Sequence, residues 1–209
     1  MHADIPLFPL NIVAYPGELV NLHIFEPRYK DLVRDCIDAE ISFGIPTYNG
    51  KTMSYGTEVE ILKVEKIYKD GRMDIRTKGT RIFQLIDFYD PWRDKTYAGG
   101  KVQFKEIEMK INPETQNKML SLAQQLFDWL NMKEKFRLDK EFLSYSLAHK
   151  VGLKLDEELE LLKISNEDDR QQYLTKHLMN LLPALERAEQ AKERIMMNGH
   201  FRHLKPPNF

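Results

Sequence analysis

Two periods of apolar and polar residues divide this chain of 209 residues. As far as about residue 110 the pattern is that of strands. Ile5-Pro6-Leu7-Phe8-Pro9-Leu10 is a short apolar run whose prolines cannot donate ladder hydrogen bonds, which suits an edge strand. Pro16-Gly17 marks a turn, and Leu19 to Phe25 reads as a buried strand. A helix follows. Glu26 and Pro27 suit its first turn, and Tyr29, Leu32, Val33, Cys36 and Ile37 fall on one face. Ile41 to Tyr48 is a further strand. Thr57–Tyr68 and Met73–Lys78 then form a hairpin across Asp70-Gly71, where a tight turn requires positive φ. Arg72, Asp74 and Arg76 alternate with Met73, Ile75 and Thr77, so one face is wet and the other dry. Strands at Arg81–Tyr89 and Tyr97–Met109 complete an antiparallel, strongly curved sheet or small barrel.

At Asn112-Pro113-Glu114 the period becomes helical. Asn112 can cap, Pro113 fits the first helical position, and Glu114 favours the positive end of the dipole. Met119, Leu122, Ala123, Leu126, Phe127 and Leu130 make the buried face. A second helix is expected from Asp139 to near Gly152 and a third from Asp156 to Lys163. The fourth starts around Ser165-Asn166, with a kink or break at Pro183. The expected organisation is α+β: a β-rich barrel over 1–111, a helical bundle over 112–197 and a flexible tail over 198–209.

Charge narrows the function. Thirty-one Lys and Arg against 32 Asp and Glu leave a net charge of −1, without the basic excess of a nucleic-acid binder. No signal sequence or membrane-length apolar run is apparent, and the single cysteine, Cys36, excludes an intrachain disulfide. A soluble protein of the cytoplasm is expected. Gly44-Ile45-Pro46-Thr47-Tyr48-Asn49-Gly50-Lys51-Thr52 imitates a phosphate-binding loop. It has five residues between its glycines where four are needed, Pro46 offers no amide, and no helix follows, so a strand and hairpin loop is the better reading. Metal-ligand spacings and nucleophile motifs are missing. Asp168 and Asp169 sit at a helix start, where the dipole accounts for them. No catalytic, cofactor-binding or metal-binding residue is assigned.

Ordered motifs add a resemblance. Ile5 to Glu18, with Leu7-Phe8-Pro9-Leu10 and Pro16-Gly17, and then Phe25-Glu26-Pro27-Arg28-Tyr29 are similar to the opening of the Lon protease amino-terminal domain. The likeness continues through Phe43-Gly44-Ile45, Gly56 to Ile61, Asp70-Gly71-Arg72 and Lys78-Gly79-Thr80-Arg81-Ile82-Phe83. Leu159-Glu160-Leu161-Leu162 to Asp168-Asp169-Arg170 matches in kind. The resemblance implies a PUA-like pseudo-barrel followed by a helical bundle, in the stand-alone form found in bacteria, without the ATPase and peptidase of the protease. It also implies a non-catalytic module that binds unfolded or partner proteins in a proteolysis-related pathway. Phe25, Glu26, Arg28, Tyr29, Arg81 and Phe83 are its candidate contacts, although each also has a reading as a residue that maintains the fold. Eleven Phe, nine Tyr and nine Met suit adaptable apolar contacts. No cofactor, nucleic acid or membrane is expected as a partner. The alternatives are RNA binding, suggested only by the PUA-like fold, and a small-ligand binder or enzyme with a pocket between barrel and bundle.

Overall fold

The computed structural model describes residues 1–132 and 142–200, with side chains as far as residue 196. The expected helix start at Asp139 and the tail from residue 201 lie outside the described residues. Six strands, β1 (His2–Leu7), β2 (Leu19–Ile24), β3 (Phe43–Pro46), β4 (Tyr55–Ile67), β5 (Met73–Tyr89) and β6 (Ala98–Phe104), form one sheet. Their order is β2-β5-β4-β3-β1-β6, and β6 pairs back onto β5. Five strands therefore close into a ring, with β2 added outside it. Closure depends on the length of β5. Its first half pairs with β2, from Met73 to Lys78, and its second half with β6, from Phe83 to Tyr89. The two strands expected at Met73–Lys78 and Arg81–Tyr89 are thus one, because Gly79 stays in register against Val59. The hairpin turn before it has positive φ at Gly71 alone, with Gly71 N–H donating to Tyr68 O.

The sheet is mixed rather than antiparallel throughout. β1 runs parallel to β3 at Leu7↔Gly44, and the pairing continues at Leu10↔Thr47. The edge assignment of the sequence is reversed as well. β1 lies between β3 and β6, and its one proline, Pro6, is accommodated because β3 engages only its last residue, Leu7. β2, expected to be buried, pairs among the described residues only with β5 and alternates exposed with buried positions. The helix α1 (Pro27–Asp38) buries Tyr29, Leu32, Val33 and Cys36 against the barrel, where Phe8, Phe43, Ile45 and Ile75 meet them. Ile37, assigned to that face, is exposed. Burial pushes the Cys36 thiol up to about 12, so it packs as a small apolar side chain.

The chain divides into two compact units, and not at one point. The described residues of 1–111 and 136–170 form the first, and those of 112–135 and 171–209 the second. A linear barrel-then-bundle division is therefore incomplete: α3 (Leu143–Ala148), α4 (Leu155–Lys163) and the start of α5 (Glu167–His200) belong with the barrel. The reason is a buried charged hub. Arg170 and Glu167, both without solvent exposure, pair at 2.8 Å. Glu167 also accepts from the Ser144 hydroxyl at 2.7 Å, while Arg170 donates to the carbonyls of Ile164 and Ser165 and lies over the Tyr145 ring. Three helix ends are thereby tied together, and Glu108 N–H and O bind Ser165 and Glu167 across to the strand side of the unit.

In the second unit α2 (Pro113–Trp129) starts as read, with the Asn112 side chain accepting from Glu114 N–H. It buries Met119, Ala123, Leu126 and Phe127, and α5 contributes Leu174 and Leu178. α5 runs through Pro183 without interruption, so of the expected kink or break the break does not occur. Among the described residues no helix is long and apolar enough to cross a membrane.

Removing one member of a buried ion pair leaves the other charge uncompensated, at a cost of about 3–5 kcal/mol. Arg170→Leu is accordingly expected to lower the urea unfolding free energy of the chain by about that amount, and the double variant with Glu167→Leu to recover part of it. Equal losses in the single and double variants would contradict the hub.

Candidate functional site

The six candidate contacts do not form one surface. Phe25, just beyond β2, is 59% exposed, with its ring beside His23 at 6.2 Å between centroids. Glu26 occupies the N-cap of α1, but its carboxylate does not cap the helix. The backbone carbonyl of Glu26 receives the Tyr29 and Lys30 amides, while its carboxylate accepts from Arg28 Nε at 3.0 Å. Arg28 also reaches Asp90 at 3.7 Å. Tyr29 is buried against Phe8, 3.9 Å between ring centroids, and Phe83 is fully buried in the barrel beside Leu7 and Val102. Neither ring presents a surface to a partner. Arg81 forks onto Glu58 at 2.7 and 2.9 Å and lies over Phe104. Burial would raise the Glu58 carboxyl, but hydrogen bonds from Arg81, Ser42 and Thr80 hold it below its ordinary value.

A more organised constellation lies where the loop before β2 meets α3, all within the first unit. Its foundation is Gly79. A Cβ there would fall 2.1 Å from the Tyr15 carbonyl oxygen, so only glycine lets the loop come this close. Gly79 N–H donates to Glu18 O at 2.9 Å, and Gly79 O accepts from Gly17 N–H at 2.9 Å. Gly17, at φ +81°, makes the turn between them. Thr57 Oγ1 holds the Ala14 carbonyl from beneath.

Fixed in this way, the loop aims two side chains at the helices. Tyr15 stacks on Tyr145 at 4.8 Å between centroids, and its hydroxyl donates to Glu158 O. Glu18 accepts from Tyr15 N–H and faces His149, whose Nε2 lies 3.2 Å away. His149 Nδ1 lies 2.7 Å from Glu158. Burial opposes charge on this imidazole, yet hydrogen bonds to Glu158 and Glu18 outweigh it and raise the pKa to about 10. The ring is therefore a cation at neutral pH, clamped between two carboxylates. Lys150 is shifted the other way, with burial lowering it against the attraction of Glu18.

Between loop and helix runs a cleft of about 380 Å³, lined by Pro16, Leu19, Phe142, Tyr145, His149 and Lys150 among others. The walls are apolar and the rim is charged, with room for an aromatic or aliphatic side chain rather than a folded partner. Leu19 is more than half exposed at its mouth. Nucleophile, base and oxyanion donors do not converge here, and the described residues hold no group of three or more potential metal ligands. The sequence marks the Pro16-Gly17 turn but not its partner His149. It could not join them, because 131 residues separate Glu18 from His149. The available signal was the Tyr145 and His149 pair, four apart on one helical face.

Comparison with known proteins gives a consistent result. The pattern of the ATP-dependent protease La (LON) substrate-binding domain matches residues 4–180. A LON peptidase N-terminal domain and RING finger protein of Schizosaccharomyces pombe is 23% identical over 79% of the chain, which spans only 43% of that relative's length. A Lon N-terminal domain protein from Xanthomonas campestris is 30% identical, with a TM-score of 0.62 over 82% of this chain and 96% of its own. The N-terminal domain of the Mycobacterium avium complex Lon protease, 17% identical, has a TM-score of 0.63 over 86% of this chain and all of its own.

The raised His149 pKa links this site to stability. A folded-state value above the unfolded one stabilises fully below the ordinary value near 6.5, and the gain is lost as pH rises through about 10. The gap in urea midpoint between the native chain and His149→Gln is expected to be widest at pH 6 and to shrink steadily towards pH 10. A gap independent of pH would contradict the clamp.

Proposed function

The chain belongs to the ATP-dependent protease La (LON) substrate-binding domain family, and on that premise we propose that it is a non-catalytic module that holds extended, unfolded segments of client proteins. The observation that carries this reading is that the family match, over residues 4–180, takes in both walls of the cleft, the turn before β2 and helix α3. A cleft of that size accepts single apolar side chains without reading a long sequence, which suits clients that have in common only their lack of structure. The charged rim, with His149 and Lys150 on one wall and Glu18 on the other, keeps the opening wet when unoccupied.

On this reading Tyr29, Phe83 and the Arg81–Glu58 fork hold the barrel, and Glu26 and Arg28 fix the entry to α1. Phe25 is the member of that group that remains a contact. Clients in a proteolysis-related pathway and a cytoplasmic setting follow from the same proposal. The balanced charge of −1 gives RNA no comparable foothold.

Reduced, carboxymethylated α-lactalbumin, which stays unfolded, is a suitable probe. Fluorescence anisotropy is expected to show it binding the native chain saturably, while the folded, calcium-loaded form does not. Leu19→Asp, which places a charge at the mouth of the cleft, is expected to weaken binding about tenfold, the effect of roughly 1.4 kcal/mol. Equal affinity for folded and unfolded forms would overturn the proposal.

A further inference from the structure

β2 is the one strand of the sheet that pairs on a single side among the described residues. Which of its backbone groups are left over is fixed by the loop before it. Gly79 N–H bonds to Glu18 O, so in antiparallel alternation the bonded pairs that follow are Val20–Thr77, Leu22–Ile75 and Ile24–Met73. Thr77 Oγ1, which also reaches Val20 O, agrees with that parity. The N–H and C=O groups of Leu19, Asn21 and His23 consequently point away from β5, along the open edge.

Exposed edges in native sheets are usually blunted by lysine, proline, bulges or inward charges. Leu19-Val20-Asn21-Leu22-His23-Ile24-Phe25 has none of these: it is regular, six residues long as a strand, and carries no Lys, Arg, Asp, Glu or Pro. Both ends are apolar and more than half exposed, Leu19 at 56% and Phe25 at 59%. An unguarded edge of this composition invites pairing with an extended chain. Its first residue, Leu19, is also a wall of the cleft beside α3, so edge and cleft are continuous.

We infer that an extended segment of a client protein adds to this edge as a further strand, bonding through its backbone to Leu19, Asn21 and His23 and delivering a side chain into the cleft. This rests on the proposed function and gives its mechanism. Main-chain recognition supplies affinity with little dependence on sequence, and the cleft supplies the preference for an apolar side chain. Phe25 marks the far end of the bound segment. His23, held by Asp74 at 2.5 Å, faces outward on the same side.

Amide hydrogen exchange read by NMR tests this, with reduced, carboxymethylated α-lactalbumin as the probe. At saturation the amides of Leu19, Asn21 and His23 are expected to slow at least tenfold, while those of Val20, Leu22 and Ile24, bonded already, change little. Asn21→Pro removes one outward donor without touching the β5 ladder and is expected to weaken binding at least tenfold. As a control independent of the chain's folding, a seven-residue Thr-Val repeat peptide is expected to compete with the probe. Its alternately N-methylated counterpart is not. Saturable binding with unchanged exchange at all three outward amides would overturn the edge while leaving the module reading intact. Absence of binding by the unfolded probe would overturn both. A native chain that sediments as a dimer and becomes monomeric on Asn21→Pro would assign the edge to a second copy, also against the proposal.

Discussion

The missing side chain at residue 79 is the constraint on which the rest depends. A Cβ there would lie 2.1 Å from the Tyr15 carbonyl oxygen, so glycine alone admits the turn that precedes β2. From that approach follow the two hydrogen bonds to Gly17 and Glu18, and from those the parity of β2 against β5. The same contact presents Tyr15 to Tyr145 and Glu18 to His149. One position in the barrel thereby sets which edge groups face solvent, where the first helical wall sits and how the cleft is shaped. The Arg170–Glu167 hub works from the opposite side, holding α3 and α4 in the unit from which that wall is built.

Recognition of unfolded chains poses a problem of specificity. A module that read side chains closely would miss most clients, and one that displayed a broad apolar patch would aggregate. On the proposed reading, edge and cleft divide the two tasks between them. Backbone groups along β2 offer bonds that any extended segment can make, and a small cleft with a charged rim asks only for one apolar side chain. Because the edge is short, binding by a single site is expected to be modest in strength and reversible.

Much of the architecture was legible because it is written locally. Alternation gave the β4–β5 hairpin, Gly71 its turn, and Asn112-Pro113-Glu114 the start of α2. The faults came from applying local rules to long-range arrangements. Proline argued for an edge at β1, yet β3 touches that strand only at its end, so an interior position costs it little. The uncharged run of β2 argued for burial, yet the ring closes through β5 and β6 and leaves β2 outside. The Phe25–Tyr29 block mixes an exposed ring with a buried one, since the chain turns there from edge strand to packed helix. The cleft itself was beyond sequence reading. Its two walls are joined by a histidine and a carboxylate far apart in the chain, and their meeting is a property of the closed barrel.

Occupation of edge and cleft together by one extended segment is the central claim. The direct measurement is photocrosslinking with p-benzoylphenylalanine placed at residue 19, residue 25 or, as a control in the second unit, residue 179, followed by mass spectrometry of the joined peptides. Residues 19 and 25 are expected to capture the same stretch of reduced, carboxymethylated α-lactalbumin at sites about six residues apart, matching the rise of a strand, with little capture at 179. Efficient capture at 179 and none at 19 or 25, with the probe still bound, would contradict the claim.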